Sequence, residues 1–347
     1  MTDISAYAAK SNDGHMEPYT IQRRDCGPDD VQIDIEYCGV CHSDLHFVKD
    51  DWGMTQYPVV PGHEIIGTVS AVGDNVKRFK VGDTAAVGCM VDSCRTCDAC
   101  HDDLEQHCLN GMTMTYGSET DDSGGMTQGG YSKRIVSKEH FVLNVPEHLD
   151  KAGAAPLLCA GITTYSPLKN HNVQKGMTVG VIGLGGLGHM GIKLASAMGA
   201  RVVMITTSPE KGEDAKALGA HDVLISKDEE AMEKWAGQFD FLLNTIPVGH
   251  DVNPYINLLR YDAAMSLVGA IEPLDAVNGA PLIFGRKKLE GSLIGGIKET
   301  QEMLDFCGEH DITATVEMIK MDDINSAFKR MQNSEVKYRF VIDMNSF

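Results

Sequence analysis

Residues 31–37, Val-Gln-Ile-Asp-Ile-Glu-Tyr, alternate apolar and polar side chains with a period of two, as a half-buried strand requires. Glycines recur at Gly62, Gly67, Gly73, Gly82 and Gly88, so the first 150 residues read as short strands joined by turns. After about residue 155 the period changes. Residues 177–182 predict a strand, a glycine-rich turn follows, and a helical pattern runs to Met198. Strands are then expected at 201–205, 222–225, 239–245 and 264–269, with helices over 214–218, 228–236 and near 254–260. That alternation predicts a parallel sheet covered by helices on both faces. The last fifty residues predict two helices, near 299–309 and 322–333, and a final strand at 339–343. Residues 117–130, rich in Gly, Ser, Thr and Asp, read as a mobile surface loop.

At 347 residues the chain has room for two domains, and 43% hydrophobic residues suffice for substantial cores. No apolar run is long enough to span a membrane. A formal charge of −19 argues against nucleic acid and anionic membranes as partners. The N-terminus shows no positively charged segment followed by an apolar stretch, so no secretory signal is read and a reducing, cytoplasmic location is expected.

Ten cysteines sharpen the picture. Cys94, Cys97, Cys100 and Cys108 form C-x2-C-x2-C-x7-C in a polar window containing Asp98, His101, Asp102, Asp103 and Glu105. Core packing does not explain that setting, and a reducing compartment disfavours disulfides. Four thiolates this close surround one metal tetrahedrally, either zinc or an iron–sulfur centre. Such a closed site holds a loop and does no chemistry. Cys26, Cys38, Cys89 and Cys307 have no evident ligand partners and are expected as reduced, buried thiols.

Gly183, Gly185 and Gly188 fit G-x-G-x-x-G after an expected strand and at the opening of an expected helix. In that context the pattern predicts a dinucleotide pyrophosphate at the helix N-terminus rather than a bare turn. An NAD site places an acid about twenty residues on, for the ribose 2′-hydroxyl. This chain has Thr206, Thr207 and Ser208 there, followed by Glu210 and Lys211, which favours NADP(H).

Cys41-His42-Ser43-Asp44-Leu45-His46, then Gly62-His63-Glu64 with Gly67, Gly73 and Val76, and Cys159 before Ala160-Gly161 complete the pattern. Together with the four-cysteine run, this set resembles the zinc-dependent medium-chain alcohol dehydrogenases over essentially the whole chain. It looks most like their cinnamyl alcohol dehydrogenase branch, which includes broad bacterial aldehyde reductases. The resemblance implies a GroES-like β-rich domain, residues 1–153 and 296–347, and a Rossmann domain with a doubly wound parallel sheet, residues 154–295. The active site is then the cleft between them. It implies a catalytic zinc on Cys41, His63 and Cys159 with Glu64 beside it, a structural zinc on the four-cysteine run, and Asp44 on the far nitrogen of His63. Ser43 would touch the substrate oxygen and begin a proton relay through the cofactor ribose to His46 and Asp51. His42 and Arg339 would meet the cofactor pyrophosphate, with Gly183, Gly185, Gly186, Leu187 and Gly188 cradling it, and Thr206, Thr207, Ser208 and Lys211 would meet the adenosine ribose.

Trp52, Met112, Met114, Tyr116 and Leu293 are the positions that family placement puts in an apolar pocket for aromatic or medium aliphatic aldehydes. Plant members carry a Trp at or near Thr113, and its absence points to a broad aldehyde reductase. The implied reaction is reversible hydride transfer between small-molecule primary alcohols and aldehydes, with zinc as Lewis acid, in a homodimer. Two rivals fit less well. A zinc-free quinone or enone reductase would lack Cys41, His63 and Cys159. A non-catalytic cofactor-binding protein would have no use for Ser43 and His46.

Overall fold

The computed structural model describes residues 1–120, 125–269 and 272–347. The chain divides into two compact units, Met1–Cys159 with Gly295–Phe347, and Ala160–Ile294.

The first unit is built on a seven-stranded sheet whose centre is the strand Asp30–Val40. Val31, Ile33 and Ile35 point into the core and Gln32, Asp34 and Glu36 are half-exposed, as the period-two pattern requires. Each such burial contributes about 1.5–3 kcal/mol before entropy is counted. Ile65–Val72 and Arg134–Lys138 pair with it antiparallel, and Arg339–Asp343 joins from the far end of the sequence. Helix Ile324–Gln332 turns Ile324, Ala327, Phe328 and Met331 into the same core. Because the central strand ends at Val40, its neighbour starts at Ile65 and the last strand starts at Arg339, residues 41, 63, 64 and 339 converge at one end of the sheet.

Residues 121–124 of the expected surface loop lie outside the described residues. Beside them Glu119–Thr120 and Gly125–Met126 pair antiparallel. Cys38 and Cys307 are buried as expected; Cys26 and Cys89 are only half-buried.

The second unit is a six-stranded, all-parallel sheet. Its order runs Asp222–Ile225, Arg201–Thr206, Thr178–Ile182, Phe239–Asn244, Leu259–Leu267, Lys288–Gly291. The chain therefore steps outward one way, returns to the middle, and steps outward the other way, which is the Rossmann winding with its switch point beside Thr178–Ile182. The start of the fifth strand differs most from the sequence reading. The helix expected to 260 ends at Leu258, and Leu259 is already extended strand (φ −63°, ψ 136°). The polar Arg260-Tyr261-Asp262 hides this strand start: the register jumps there, pairing Phe239 with Leu259 and Phe241 with Ala264, and Asp262 takes φ 64°.

Candidate active site

Helix His42–Val48 opens the site. Asp44 in its first turn is fully buried and accepts hydrogen bonds from four sides. Its Oδ2 takes the Cys41 N–H (2.8 Å) and the Tyr131 hydroxyl (3.3 Å); its Oδ1 takes the Gly62 N–H (3.0 Å) and His63 Nδ1 (3.1 Å). One carboxylate thus ties the helix start to the His63 loop and fixes the imidazole so that Nε2 is left as the ligand atom. Burial works against a cation on His63, but the Asp44 charge outweighs it, and the imidazole's proton affinity rises well above its usual value.

Ligand atoms of Cys41, His63, Glu64 and Cys159 lie within 4.8 Å of one another, and all four residues are buried. The Cys41 and Cys159 sulfurs are 3.9 Å apart. A tetrahedral zinc with bonds of about 2.3 Å places its sulfurs about 3.8 Å apart, so the donors fit that ion as they stand. The hydrogen bond between the two thiols pulls Cys41 well below the usual thiol range and pushes Cys159 above it, so the pair keeps one proton between two sulfurs. Glu64 is completely buried, and burial pushes its carboxyl up to about 7 against the attraction of Arg339. Its Oε1 is bonded by the Arg339 guanidinium, while its Oε2 has no partner and belongs to the donor set. An orphaned carboxylate oxygen among thiols and an imidazole is what a divalent cation completes.

The four-cysteine run forms the second donor set, its ligand atoms also within 4.8 Å of one another. The sulfurs of Cys97 and Cys100 are 3.5 Å apart and those of Cys94 and Cys100 3.9 Å. Backbone N–H groups point at these sulfurs: Cys94 N–H to Cys108 Sγ (3.4 Å) and Leu109 N–H to Cys97 Sγ (3.3 Å). The Thr96 N–H and side chain bring Cys94 down to about 5, while burial pushes Cys100 up to about 11.

The other expected residues are placed as follows. The Ser43 hydroxyl is 3.7 Å from Cys41 Sγ. His46 Nδ1 meets Asp51 Oδ2 at 2.7 Å. His42 is exposed one turn away, its ring centroid 6.5 Å from that of His46. Arg339, expected at a pyrophosphate, is 5% exposed and engaged on Glu64, with its Nε unpartnered. Met112 and Met114 are half-buried, and Leu293, in the second unit, is exposed. Tyr116 stacks edge-on to Phe47 and turns its hydroxyl to Asp44. Trp52 is exposed and lies over the His46 ring.

Three participants were not read from the sequence: Tyr131, which caps Asp44 from 87 positions away; Gly39, where a Cβ would lie 1.9 Å from Glu64 Oε2; and Cys89, whose thiol donates to the Leu158 carbonyl next to Cys159 at 3.6 Å. Only Gly39 left a local signal, a glycine inside a strand.

In the second unit the turn after Thr178–Ile182 is shaped as its glycines demand. Gly183 has φ 94°, a Cβ at Gly188 would fall 2.0 Å from the Gly183 carbonyl oxygen, and Gly185 has open space around it. The open position, at the foot of helix Gly188–Ala197, fits a pyrophosphate approaching backbone. Gly186 and Leu187 are half-buried in the same turn. Strand Arg201–Thr206 ends at buried Thr206, whose Oγ1 accepts the Ser208 N–H at 3.1 Å. Thr207 is exposed and Lys211 half-buried, so hydroxyls and a cation stand where an acid would repel a 2′-phosphate.

Comparison with known proteins agrees with this geometry. Residues 27–147 match the alcohol dehydrogenase GroES-like domain and residues 186–309 the zinc-binding dehydrogenase domain. The chain is 53% identical over 342 residues to aldehyde reductase YahK of Escherichia coli, covering 98% of this chain and 97% of that one. A cinnamyl alcohol dehydrogenase from Sorghum bicolor superposes with a TM-score of 0.95 at 43% identity, covering 99% of this chain and 98% of the other. The Helicobacter pylori cinnamyl alcohol dehydrogenase complexed with NADP(H) gives 0.92 at 41% identity, covering 100% and 99%. With both zinc donor sets assembled and both domains matched, the chain belongs to the zinc-binding alcohol dehydrogenase family, in the company of its cinnamyl alcohol dehydrogenases and bacterial aldehyde reductases.

Proposed function

We propose that this chain is an NADP(H)-linked, zinc-dependent alcohol dehydrogenase that works as a broad aldehyde reductase on aromatic and medium aliphatic aldehydes. The observation that carries the reading is the buried set Cys41, His63, Glu64 and Cys159 with the Ser43 hydroxyl beside it. When bound, zinc polarises a carbonyl oxygen and the reduced nicotinamide supplies hydride to the carbonyl carbon. The chain's own residues do the rest. Cys41, His63 and Cys159 hold the metal, and Asp44 orients His63 toward it. Ser43 gives the substrate oxygen its proton in reduction and takes it in oxidation. His46 holds the replacement proton, oriented by Asp51 on Nδ1. The cysteines of the second set pin their loop around a structural zinc.

Residues Met1–Cys159 with Gly295–Phe347 serve as the catalytic zinc unit and Ala160–Ile294 as the NADP(H) unit in this reading. Gly183, Gly185, Gly186, Leu187 and Gly188 meet the pyrophosphate, and Thr206, Thr207, Ser208 and Lys211 meet the 2′-phosphate. Met112 and Met114 serve the aldehyde side of the site. A cytoplasmic homodimer is the proposed form; its thiol ligands require a reducing compartment, and no described helix is long and apolar enough to cross a membrane.

The test is initial rates with cinnamaldehyde, benzaldehyde and hexanal, using NADPH and NADH separately, on protein of measured zinc content. Two zincs per chain with NADPH-preferring turnover is the expected result. Two zincs with no turnover on any aldehyde overturns it.

A further inference from the structure

Trp52 was expected as a wall of the substrate pocket, but the structure gives its indole another partner. After helix His42–Val48 the chain reverses through Asp50 in the left-handed region (φ 57°), with the Asp51 N–H donating to the His46 carbonyl at 3.0 Å. This turn brings Asp51 to the edge of the His46 ring and Trp52 onto its face. The two ring planes are 5.5 Å apart at their centroids and inclined by 27°. Asp51 and His42 are the titratable groups that face this imidazole among the described residues.

The indole is itself braced from behind. Phe47 meets it edge-on at 6.4 Å, Tyr116 meets Phe47 edge-on at 5.0 Å, and Tyr116 lies 5.7 Å from the ring of His63. Phe47 is 2% and Tyr116 5% exposed, so the ladder ends in the packed interior. Gly117 keeps the place open, since a Cβ there would fall 2.3 Å from Phe47 Cζ. A histidine whose side chain is 38% exposed has freedom to turn about χ1 and χ2. A hydrogen bond at Nδ1 alone leaves the ring a hinge; a flat partner on the face removes it.

We propose that Trp52 is a positioning residue for the proton relay: it clamps His46 between its indole and Asp51, so that Nε2 keeps one direction through the catalytic cycle. This rests on the relay reading of His46 given above. It assigns Trp52 an effect on proton delivery, exerted through His46 and independent of aldehyde size.

The experiment uses the full-length holoenzyme with Trp235→Phe, which leaves Trp52 as the sole tryptophan of the two in the chain. A protonated imidazole stacked on indole quenches its emission, so in mildly acidic buffer Trp52 should fluoresce more weakly in the Trp235→Phe protein than in the same protein carrying His46→Gln. Turnover is compared for Trp52→Leu and Trp52→Phe in the His46 and His46→Gln backgrounds. Trp52→Leu should lower kcat about tenfold, a fraction of the usual worth of a general acid, with unchanged KM for propanal and an increased solvent isotope effect. Trp52→Phe, which keeps a flat face, should return most of the loss. In the His46→Gln background Trp52→Leu should cost nothing further.

Equal losses in both backgrounds, or losses that scale with aldehyde size, make Trp52 a pocket wall and overturn the proposal. Trp52 emission that His46→Gln leaves unchanged overturns the stacking in solution. If His46→Gln leaves kcat unchanged, the relay reading fails, and the proposal with it; the fluorescence comparison tells that failure apart from a failure of the stack.

Discussion

Asp44→Asn tests the keystone of the site. The substitution preserves shape and removes the charge from a fully buried group. All the partners on both oxygens donate: Cys41 N–H and Tyr131 OH on one, Gly62 N–H and His63 Nδ1–H on the other. An amide must turn its NH2 toward one pair. Facing Oδ2's partners is cheaper, because the Tyr131 hydroxyl can rotate and accept, leaving only the Cys41 N–H without an acceptor. One buried donor left unmade costs about 1–3 kcal/mol. Weakening the carboxylate–histidine contact behind a metal costs a further ~10–100-fold in metal affinity, or about 1.4–2.7 kcal/mol. The assay is competition with a chromogenic chelator, following two zinc-release phases. The phase from Cys94, Cys97, Cys100 and Cys108 is an internal control that should not move, because Asp44 bonds none of them. The other should accelerate at least tenfold. Equal release of both zincs from variant and parent would show that Asp44 does not orient His63.

Four further outcomes are expected. Gly39→Ala drives a Cβ to 1.9 Å from Glu64 Oε2 and 2.9 Å from Glu64 Cβ, so the buried Glu64–Arg339 pair must part; a loss on the order of 3–5 kcal/mol should appear in thermal or denaturant unfolding. Asp30 is opposed by burial, but the Arg24 guanidinium and the Gly27 N–H prevail and hold its carboxyl below the usual range. Because the folded value is the lower one, Asp30 contributes stability above the unfolded value of about 4 and loses it as pH falls through the folded value, so the unfolding difference between parent and Asp30→Asn should shrink to nothing on acidification. Lys211→Ala should weaken NADPH about fivefold, roughly 1 kcal/mol for a partly exposed charge contact, and leave NADH unchanged in a fluorescence titration. Returning zinc to chelator-stripped protein at neutral pH should release protons into an indicator dye, since Cys159 and His63 hold theirs in the metal-free chain.

The metal chemistry was legible because sulfur is rare and its spacing is local: four of the ligands fall within fifteen residues. The Rossmann turn was legible for the same reason, a local pattern between a strand and a helix. Contacts made by topology were not. Cys159 lies 118 residues from Cys41, and Arg339 lies 275 from Glu64. Tyr131 reaches Asp44 only because strand Arg134–Lys138 runs beside Asp30–Val40 and carries the preceding residues to the end of the sheet. No periodicity encodes such a meeting. Strand Lys288–Gly291 and helix Gly279–Gly285 were missed because an edge strand reading Lys-Leu-Glu-Gly and a helix with an internal proline and exposed Ile283 and Phe284 lack the alternations that mark buried elements.

The buried charges explain why so much of the first unit converges on one point. Two thiols, Glu64 and Asp44 bring up to four negative charges into a region where each is expensive to desolvate. Among the described residues the permanent cation paired here is Arg339, and it serves Glu64. Asp44 is settled by the Cys41, Gly62 and Tyr131 donors and by the His63 imidazole, whose proton affinity it raises. That leaves the two sulfurs and Glu64 Oε2 with no permanent cation of their own among the described residues, only the titratable His63. Protons fill the deficit in part: one is shared by the sulfurs, and Glu64 titrates at about 7. A divalent cation held at the same point would neutralise the two sulfurs and give Glu64 Oε2 a partner, while Oε1 keeps Arg339. The fold therefore stores a negative site that a metal completes, and the residues that look structural, Gly39, Tyr131 and Arg339, are there to keep it both buried and open to an ion.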